Sequence, residues 1–361
     1  MRLYRTALLL VANLAAHSAA PAAESLPGVV KSEFIYDKAP FPSCHASTIV
    51  ATKSGLVCAL FGGSDEGDRD VGIWVSRHDG EKWSQVVEVA NGVRADGKRH
   101  PCWNPVLFRA KDGPLDLYYK VGPSPDAWWG MKMSSTDDGR TWSKPKRLPD
   151  GFLGPVKNKA VQLSSGTVLA GSSTEHKGWR VHMERSTDSG KTFSLVGPLN
   201  DGKSIGAIQP TILEWPGGKI QILCRSQQSR IVESWSTDDG KTWSPLEKTV
   251  LPNPNSGIDA VKLADGRALL VYNHTPLVKL TRPRGREMIN VAVSEDGRKW
   301  RPALVLENEK GEFSYPAAIQ APDGLVHITY THHRQRVKHV VVDPAKLKLG
   351  EYTQNGNWPG L

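Results

Sequence analysis

The sequence predicts an all-β protein folded as a β-propeller, and a repeated eight-residue segment is the main reason. The segment reads Ser-x-Asp-x-Gly-x-Thr-Trp, and its copies stand about fifty to sixty residues apart, counted between their glycines. Three strong copies and two weaker ones occur: Ser135 to Trp142, Ser186 to Phe193, Ser236 to Trp243, Ser76 to Trp83 and Val293 to Trp300. Repeats of this length are typical of solenoids, propellers and arrays. Strand-like stretches around each copy indicate four short strands per repeat, as in one propeller blade.

Each copy of the segment fits a hairpin turn rather than a reactive site. The aspartate can accept hydrogen bonds from backbone N–H groups of the turn, the glycine supplies a positive φ, and the aromatic residue packs the turn onto its own unit. In the two weaker copies His78 and Glu295 stand where this aspartate is expected. The repeated aspartates are therefore predicted to be structural.

The composition agrees with one domain made of strands and many turns. The chain has 361 residues, with 34 glycines and 25 prolines, and no segment shows a long helical apolar period. The net charge of +9 is dispersed along the chain. Such a surplus is weak evidence for nucleic acid binding and suits an anionic small molecule or polysaccharide.

The first 23 residues are predicted to be a secretory signal peptide. Arg2 and Arg5 precede the apolar run Ala7 to Ala16, and small residues continue through Ala23. The run is too short to span a bilayer comfortably, so we expect no membrane span. Residues 24–361 should form a single exported propeller, periplasmic or secreted, whose lead-in up to Pro42 closes the ring against the last blade.

Four cysteines leave the disulfide pattern open, because four allow three pairings. Cys58 and Cys224 stand in strand-like runs and are expected to be buried thiols, whereas Cys44 and Cys102 flank polar loop residues and could pair. The sequence shows no spacing typical of a zinc site, no phosphate-binding loop and no redox motif, so no metal or cofactor is expected.

Candidate site residues stand where the inner strands of the blades should begin, because inner strands line the channel of a propeller. They are polar residues that packing alone explains poorly: His45, Asn104, Lys157 and Gln209. A Gly-rich loop between two strands of the first blade adds candidates for a general acid, since crowded carboxylates can raise one pKa: Asp65, Glu66, Asp68 and Asp70. The alternative for His45 is a histidine that packs at the channel rim without a ligand, and the alternative for the Gly-rich loop is a solvated acidic turn.

Further candidates are polar or charged residues at the ends of apolar strands or in them. They are His100, Lys120, Glu175, Arg225, Arg286 and Tyr315. A buried lysine or arginine needs a partner, and an anionic or hydroxyl-rich ligand would provide one. A surface role for each arginine and a packing role for the tyrosine are the alternatives.

The repeated segment is the Asp-box of the sialidase superfamily, which the chain resembles over nearly all of residues 24–361. The resemblance implies a six-bladed β-propeller, with which five boxes are compatible. Sialidases bind a sugar carboxylate with three arginines, use an aspartate as general acid, and attack with a tyrosine that a glutamate activates. By position, Arg225 resembles the second arginine and Arg286 the third. Tyr315 resembles the nucleophile, and the Asp65/Glu66 loop takes the place of the acid.

Two positions depart from the sialidase pattern. His45 stands where the first arginine is expected, and a partly charged imidazole could take that role. Gln209 stands near the place of the activating glutamate, for which Glu175 of the neighbouring blade could substitute.

These observations predict an exported exo-glycosidase that removes a terminal acidic sugar from a glycan. The alternatives keep the acidic carbohydrate partner but change the reaction. A polysaccharide lyase acting on a uronate would use His45 or His100 as the base and Tyr315 as the acid. A propeller that binds carbohydrate without catalysis is the third possibility.

Overall fold

Six four-stranded antiparallel sheets make up the part of the chain that the computed structural model describes, residues 26–275, 285–352 and 358. The predicted signal peptide lies outside these residues. The strands of the sheets, in chain order, begin with β1 (Val29–Phe34), which belongs to the sixth blade. Blade 1 contains β2 (Ser43–Thr52), β3 (Gly55–Gly63), β4 (Gly72–His78) and β5 (Val87–Ala90). Blade 2 contains β6 (Cys102–Arg109), β7 (Leu115–Val121), β8 (Trp129–Ser135) and β9 (Lys146–Arg147).

The other four blades repeat this order. Blade 3 contains β10 (Val161–Gln162), β11 (Val168–Thr174), β12 (Arg180–Ser186) and β13 (Ser194–Val196). Blade 4 contains β14 (Ala207–Trp215), β15 (Lys219–Ser226), β16 (Arg230–Ser236) and β17 (Glu247–Pro252). Blade 5 contains β18 (Asp259–Lys262), β19 (Ala268–Tyr272), β20 (Met288–Ser294) and β21 (Trp300–Asn308). Blade 6 contains β22 (Phe313–Gln320), β23 (Val326–His332) and β24 (Arg336–Val342) together with β1.

The first strands of blades 1, 2, 4, 5 and 6 lie at the centre of the ring, because they contact one another: β2 contacts β6 and β22, and β18 contacts β14 and β22. The predicted six-bladed β-propeller is thus confirmed. The only helical element in the described residues is the 3-10 turn Pro216–Gly218. No helix there is long and apolar enough to cross a membrane.

The core fills the spaces between neighbouring blades. Val57 and Ile73 of blade 1 pack against Leu107 and Leu117 of blade 2, and all four are buried. The expected burial of Cys58 and Cys224 is confirmed, but the suggested pairing of Cys44 with Cys102 is wrong, since all four thiols are free and buried. Cys44 instead accepts a hydrogen bond from the Tyr36 hydroxyl at 3.0 Å.

The Asp-boxes lie in the links between the third and fourth strands, and their aspartates hold the turns as predicted. Asp137 accepts hydrogen bonds from the Thr141 amide at 2.9 Å and the Thr141 hydroxyl at 2.6 Å. In the two weak boxes the aspartate is present one residue later than the sequence alignment suggested. Asp79 accepts from the amide of Lys82 at 3.0 Å, and Asp296 accepts from that of Lys299 at 2.7 Å.

The ring closes where the N-terminal strand β1 pairs antiparallel with β24, which confirms the role predicted for the lead-in. Glu33 of β1 lies in a buried cluster of histidines at this seam. Its carboxylate contacts His339 Nδ1 at 3.0 Å and lies 3.9 Å from His78 Nε2, and it accepts from the Trp83 indole at 3.1 Å. His339 Nε2 lies 3.0 Å from His327 Nδ1. Burial lowers the pKa of His339 to about 4, although Glu33 opposes this.

Acid should weaken this closure. A histidine of the unfolded chain takes up its proton near pH 6.5, whereas folded His339 remains neutral down to about pH 4. The unfolded state therefore binds more protons between these values. We expect the free energy of unfolding to fall by about 3 kcal/mol for this residue as the pH drops through this window, and to level off below it. Urea unfolding at a series of pH values measures the effect. His339→Gln, which does not titrate, should flatten the dependence; an unchanged slope would contradict the prediction.

A β-bulge marks the start of four inner strands. A residue other than glycine has a left-handed backbone at each: Ala46 (φ 52°), Asn104 (φ 37°), Gln209 (φ 59°) and Tyr315 (φ 53°). Lys157 (φ 74°) and Asn255 (φ 56°) adopt this backbone four residues before β10 and β18. In β2, β6, β14 and β22 the register with the second strand shifts at this point. Bulges redirect a side chain, and strained backbone of this kind collects at functional sites. Each of the six blades thus has a left-handed residue at or just before the start of its inner strand.

Candidate active site

The candidate active site lies on the face of the ring opposite the Asp-boxes. Chain direction alternates in each sheet, so the links between second and third strands share a face with the links that enter the next blade. Side chains from both kinds of link meet there. They are Glu66, Glu175, Arg286, Glu312 and Arg334, with Arg225 from the end of β15 and Tyr315 from the bulge of β22.

Tyr315 and Arg225 form the centre of the site. Arg225 Nη1 donates to the Tyr315 hydroxyl oxygen at 2.5 Å and lies 3.4 Å from Gln209 Oε1. Asn255 holds the other side of the guanidinium, accepting from Nε at 3.0 Å and from Nη2 at 2.7 Å. Arg286 lies 5.8 Å from the centre of the Tyr315 ring. Two guanidinium groups therefore face this tyrosine, and three contacts with Asn255 and Gln209 orient that of Arg225 on its oxygen.

His45 and Lys157 lie beneath Tyr315 and are buried. The His45 and Tyr315 ring centres are 4.0 Å apart, and His45 Nδ1 lies 2.9 Å from the Thr331 hydroxyl. Burial, reinforced by the surrounding cations, lowers the pKa of His45 well below its usual value, so the imidazole is neutral rather than partly charged as the sequence suggested. His45 Nε2 is buried and has no hydrogen-bond partner among the described residues.

Lys157 uses its ammonium group on the protein itself. It donates to Asn158 Oδ1 at 2.8 Å, to the Ile258 carbonyl at 2.6 Å and to the Pro316 carbonyl. Burial lowers its pKa to about 7. Three acceptors from three blades match the three protons of an ammonium group. Lys157 therefore links three blades at the channel. Its Nζ atom lies 5.9 Å from the centre of the Tyr315 ring.

A chain of ion pairs forms one wall of the site. Glu312 bridges Arg286 Nη1 at 2.8 Å and Arg334 Nε at 2.9 Å, and Arg334 Nη1 lies 2.5 Å from Glu66. Against the effect of burial, the two guanidinium groups hold the pKa of Glu312 below its usual value. Arg334 is thus a third cation of the site. Arg334 comes from the β23–β24 hairpin of blade 6 and lies close to the neutral His45.

Glu175 is a carboxyl group of the site whose pKa is raised. It directly follows β11, is partly buried, and has the Trp179 indole and Arg225 as neighbours. Burial raises its pKa, although Arg225 and the hydrogen bond with Trp179 oppose the change. Glu66, by contrast, is held in an ion pair by Arg334. Two carboxyl groups whose environments differ in this way can serve different roles.

Other predicted site residues lie away from Tyr315. Lys120 is fully buried and donates to the Pro155 carbonyl, and burial lowers its pKa to about 7. His100 packs edge-on against Trp129 with ring centres 5.6 Å apart. Asp65 and Asp70 shape the loop after β3. Asp65 accepts from the Glu66 amide at 2.8 Å, and Asp70 accepts from the Ser64 hydroxyl at 2.7 Å.

Four residues of the site were not identified from the sequence: Trp179, Asn255, Glu312 and Arg334. Arg334 follows two histidines in a hairpin and gives no signal of its own. The bulges do leave a signal, since Asn104, Gln209 and Tyr315 each precede a proline at the same point of their repeats.

Comparison with known proteins places this architecture in a family. A family profile described as a BNR repeat-like domain matches residues 54–328. The chain belongs to the BNR repeat-like family. Among curated relatives of this BNR repeat-like protein, the sialidase of Micromonospora viridifaciens is 29% identical over 171 residues, 44% of this chain and 26% of that protein. The sialidase of Bacteroides fragilis (strain YCH46) is 24% identical over 257 residues, 62% of this chain and 44% of that protein.

Solved structures show the same fold. The NanB sialidase from Streptococcus pneumoniae superposes with a TM-score of 0.69 at 13% identity. The superposition covers 88% of the present chain and 71% of the NanB chain. The predicted resemblance to the sialidase superfamily is therefore confirmed. The chain spans less than half the length of the two curated sialidases.

Proposed function

We propose that this sialidase-like protein is an exo-acting glycosidase that releases a terminal acidic sugar from a glycan or polysaccharide. The observation that carries the proposal is the contact of 2.5 Å between Arg225 and the Tyr315 hydroxyl, in a site that two further guanidinium groups face. Arginine binds carboxylates through paired hydrogen bonds. Arg225, Arg286 and Arg334 are the groups that would hold the sugar carboxylate.

Tyr315 is the proposed nucleophile, and Glu175 the proposed proton donor. The Tyr315 oxygen bonds to the anomeric carbon and releases its own proton to solvent. The glycosidic C–O bond breaks, and Glu175 protonates the leaving oxygen. Water then attacks the anomeric carbon, the Glu175 carboxylate takes a proton from that water, and the Tyr315 oxygen leaves and regains a proton. A neutral nucleophile avoids repulsion with the substrate carboxylate, which is the reason to use tyrosine here.

The placement of the histidines supports hydrolysis over elimination. His45 is 1% exposed and lies beneath Tyr315, while His100 packs on Trp129. A base that abstracts a sugar proton must come within hydrogen-bonding reach of it. Neither His45 nor His100 is placed for that role.

The proposal is tested by incubating the purified protein with sialylated, uronate-containing and neutral glycans and identifying products by mass spectrometry. We expect a released acidic sugar that carries the elements of one water, and no product from neutral glycans. An unsaturated product would assign the protein as a lyase. Saturable binding of an acidic glycan without any product would assign it as a binding protein.

We also propose that the protein is exported. The support is the N-terminal pattern of two arginines, an apolar run and small residues up to Ala23. N-terminal sequencing of the protein recovered from the periplasm or medium of an expressing bacterium checks this, with a start near residue 24 expected. A product that keeps Arg2 and Arg5 and stays in the cytoplasm would contradict it.

Glu175→Gln should lower kcat/KM for a natural acidic glycan about a hundredfold, a typical loss for a missing general acid. The loss should be much smaller for an aryl glycoside, because a phenolate leaves without protonation. A general acid works only while it is protonated, and the pKa of Glu175 is raised. Wild-type activity should therefore fall as the pH rises through that pKa, and this fall should be absent from the pH profile of the variant.

Glu233→Gln is a matched control for this experiment. Burial also raises the pKa of Glu233, but this residue contacts Gln221 and Trp235 in blade 4 and should leave activity unchanged. Equal losses of Glu175→Gln on both substrates would exclude the role of proton donor.

A further inference from the structure

A group of possible metal ligands lies at the edge of blade 6, outside the contacts that form the candidate active site. Glu309, His332 and His333 each offer one ligand atom, and these atoms all lie within 4.8 Å of one another. In the described part of the chain no other group of three such residues comes this close. We propose that these three residues bind a divalent transition-metal ion, with Zn²⁺ as the first candidate.

The donor set suits such an ion. Imidazole nitrogen favours zinc and its neighbours in the first transition row, and a carboxylate completes a common set of three protein ligands. Water or a substrate group takes the fourth position in open zinc sites. Calcium and magnesium prefer oxygen ligands alone. Two imidazoles with one carboxylate therefore indicate a transition metal.

The turn between β23 and β24 brings the two histidines together. Consecutive side chains of a strand point to opposite faces, so neighbours such as His332 and His333 would normally diverge. Here His333 and Arg334 both adopt a left-handed backbone, with φ of 54° and 56°. The two imidazole ring centres are consequently only 4.5 Å apart. Sequence spacing rules for zinc did not detect this pair because the turn, and not the spacing, produces it.

The surrounding residues keep both rings in place. The His332 ring packs edge-on against Phe34 and Phe313, with ring centres 5.0 Å away in each case. The His333 ring packs against Phe313 at 4.9 Å. A side chain at Gly311 would collide with the His333 ring, so glycine leaves the room that the ring occupies. The rings are thus positioned before any ion binds, which lowers the cost of ordering the ligands.

A bound ion would join the two segments that carry one wall of the candidate active site. Glu309 precedes Glu312 by three residues in the link from β21 to β22, and His333 directly precedes Arg334. Arg334 and Glu312 form the ion pair of 2.9 Å described above. The ion would therefore stabilise the β23–β24 hairpin and the position of Arg334. The proposed metal site does not depend on the proposed glycosidase function.

The test is titration of the tag-free protein with Zn²⁺ by calorimetry, followed by Co²⁺ substitution and absorption spectroscopy. We expect one saturable equivalent and the visible bands of a low-coordinate Co²⁺ complex. His333→Ala and the isosteric, exposed Glu309→Gln should each weaken binding by at least about tenfold. His176→Ala, which removes an exposed histidine of blade 3, should bind like the wild type.

Two results would overturn the proposal: no saturable binding to the wild type, or losses in His176→Ala as large as in His333→Ala. Glu309→Gln guards against a folding defect, because Glu309 is exposed and the amide has the same shape. None of these measurements requires turnover. Failure of the metal site is therefore distinguishable from failure of the proposed glycosidase activity.

Discussion

Tyr315→Phe should reduce turnover of the acidic glycan by about three orders of magnitude or more while leaving the fold intact. The variant lacks the oxygen that forms the proposed bond to the anomeric carbon. Arg225 keeps Asn255 and Gln209 as partners after the change. The loss of unfolding free energy should therefore be limited to about 1 kcal/mol, the usual net contribution of one hydrogen bond.

The experiment measures kcat/KM on the released sugar and the thermal unfolding midpoint of both proteins. Tyr330→Phe is the matched control. Its hydroxyl is buried and donates to Glu307 of blade 5 at 2.6 Å, a contact between blades 5 and 6, so its removal should cost stability and leave turnover unchanged. Undiminished activity of Tyr315→Phe would refute the nucleophile, even if the protein hydrolyses acidic glycans.

Asp259→Ala should lower the free energy of unfolding by about 3–5 kcal/mol, as expected when one partner of a buried ion pair is removed. Asp259 is 1% exposed and joins four blades at the channel. Its carboxylate contacts Lys159 of blade 3 at 2.9 Å, the Thr211 hydroxyl of blade 4 at 2.8 Å and the Ala318 amide of blade 6 at 2.9 Å. The alanine would remove the carboxylate acceptor of the Ala318 amide and, among the described residues, would leave Lys159 and Thr211 with only the Ala260 carbonyl, at 2.8 Å and 3.3 Å.

Denaturant unfolding of the variant measures this loss. Asp265→Ala provides the control in the same blade, because Asp265 pairs with Arg267 at the surface and exposed pairs contribute at most about 1 kcal/mol. The double variant Asp259→Ala/Lys159→Met removes both charges and should recover part of the loss. A loss no larger than that of Asp265→Ala would show that the channel contacts do not stabilise the ring.

Local chemistry explains why so much of the fold was predictable. The Asp-box needs only residues within one turn, so Asp137 and Thr141 identify a hairpin wherever they recur. Five boxes at a regular interval then imply blades, and Arg225 and Tyr315 could be located by their place in the repeat. The one-residue shift in the weak boxes was missed because alignment on the glycines hides a shorter turn, in which Asp296 replaces Glu295.

Residues with the same sequence pattern proved to have different surroundings. Lys157 and Gln209 both have a left-handed backbone near the start of an inner strand, yet Lys157 donates to three protein oxygens while Gln209 faces Arg225. The state of His45 depends on its burial and on cations from several blades. Neither outcome could follow from local sequence, because each depends on which atoms fill the channel.

The sequence alone determined the class of structure: an all-β ring of repeats, its turns, and the strand ends where a site would form. Periodic hydrophobicity and turn chemistry act over a few residues, and a single chain displays them directly. Only the tertiary structure decided which charges meet. Glu66 and Arg334 are 268 positions apart and become partners because the ring brings its first and last blades together. The third cation of the site is therefore a consequence of ring closure.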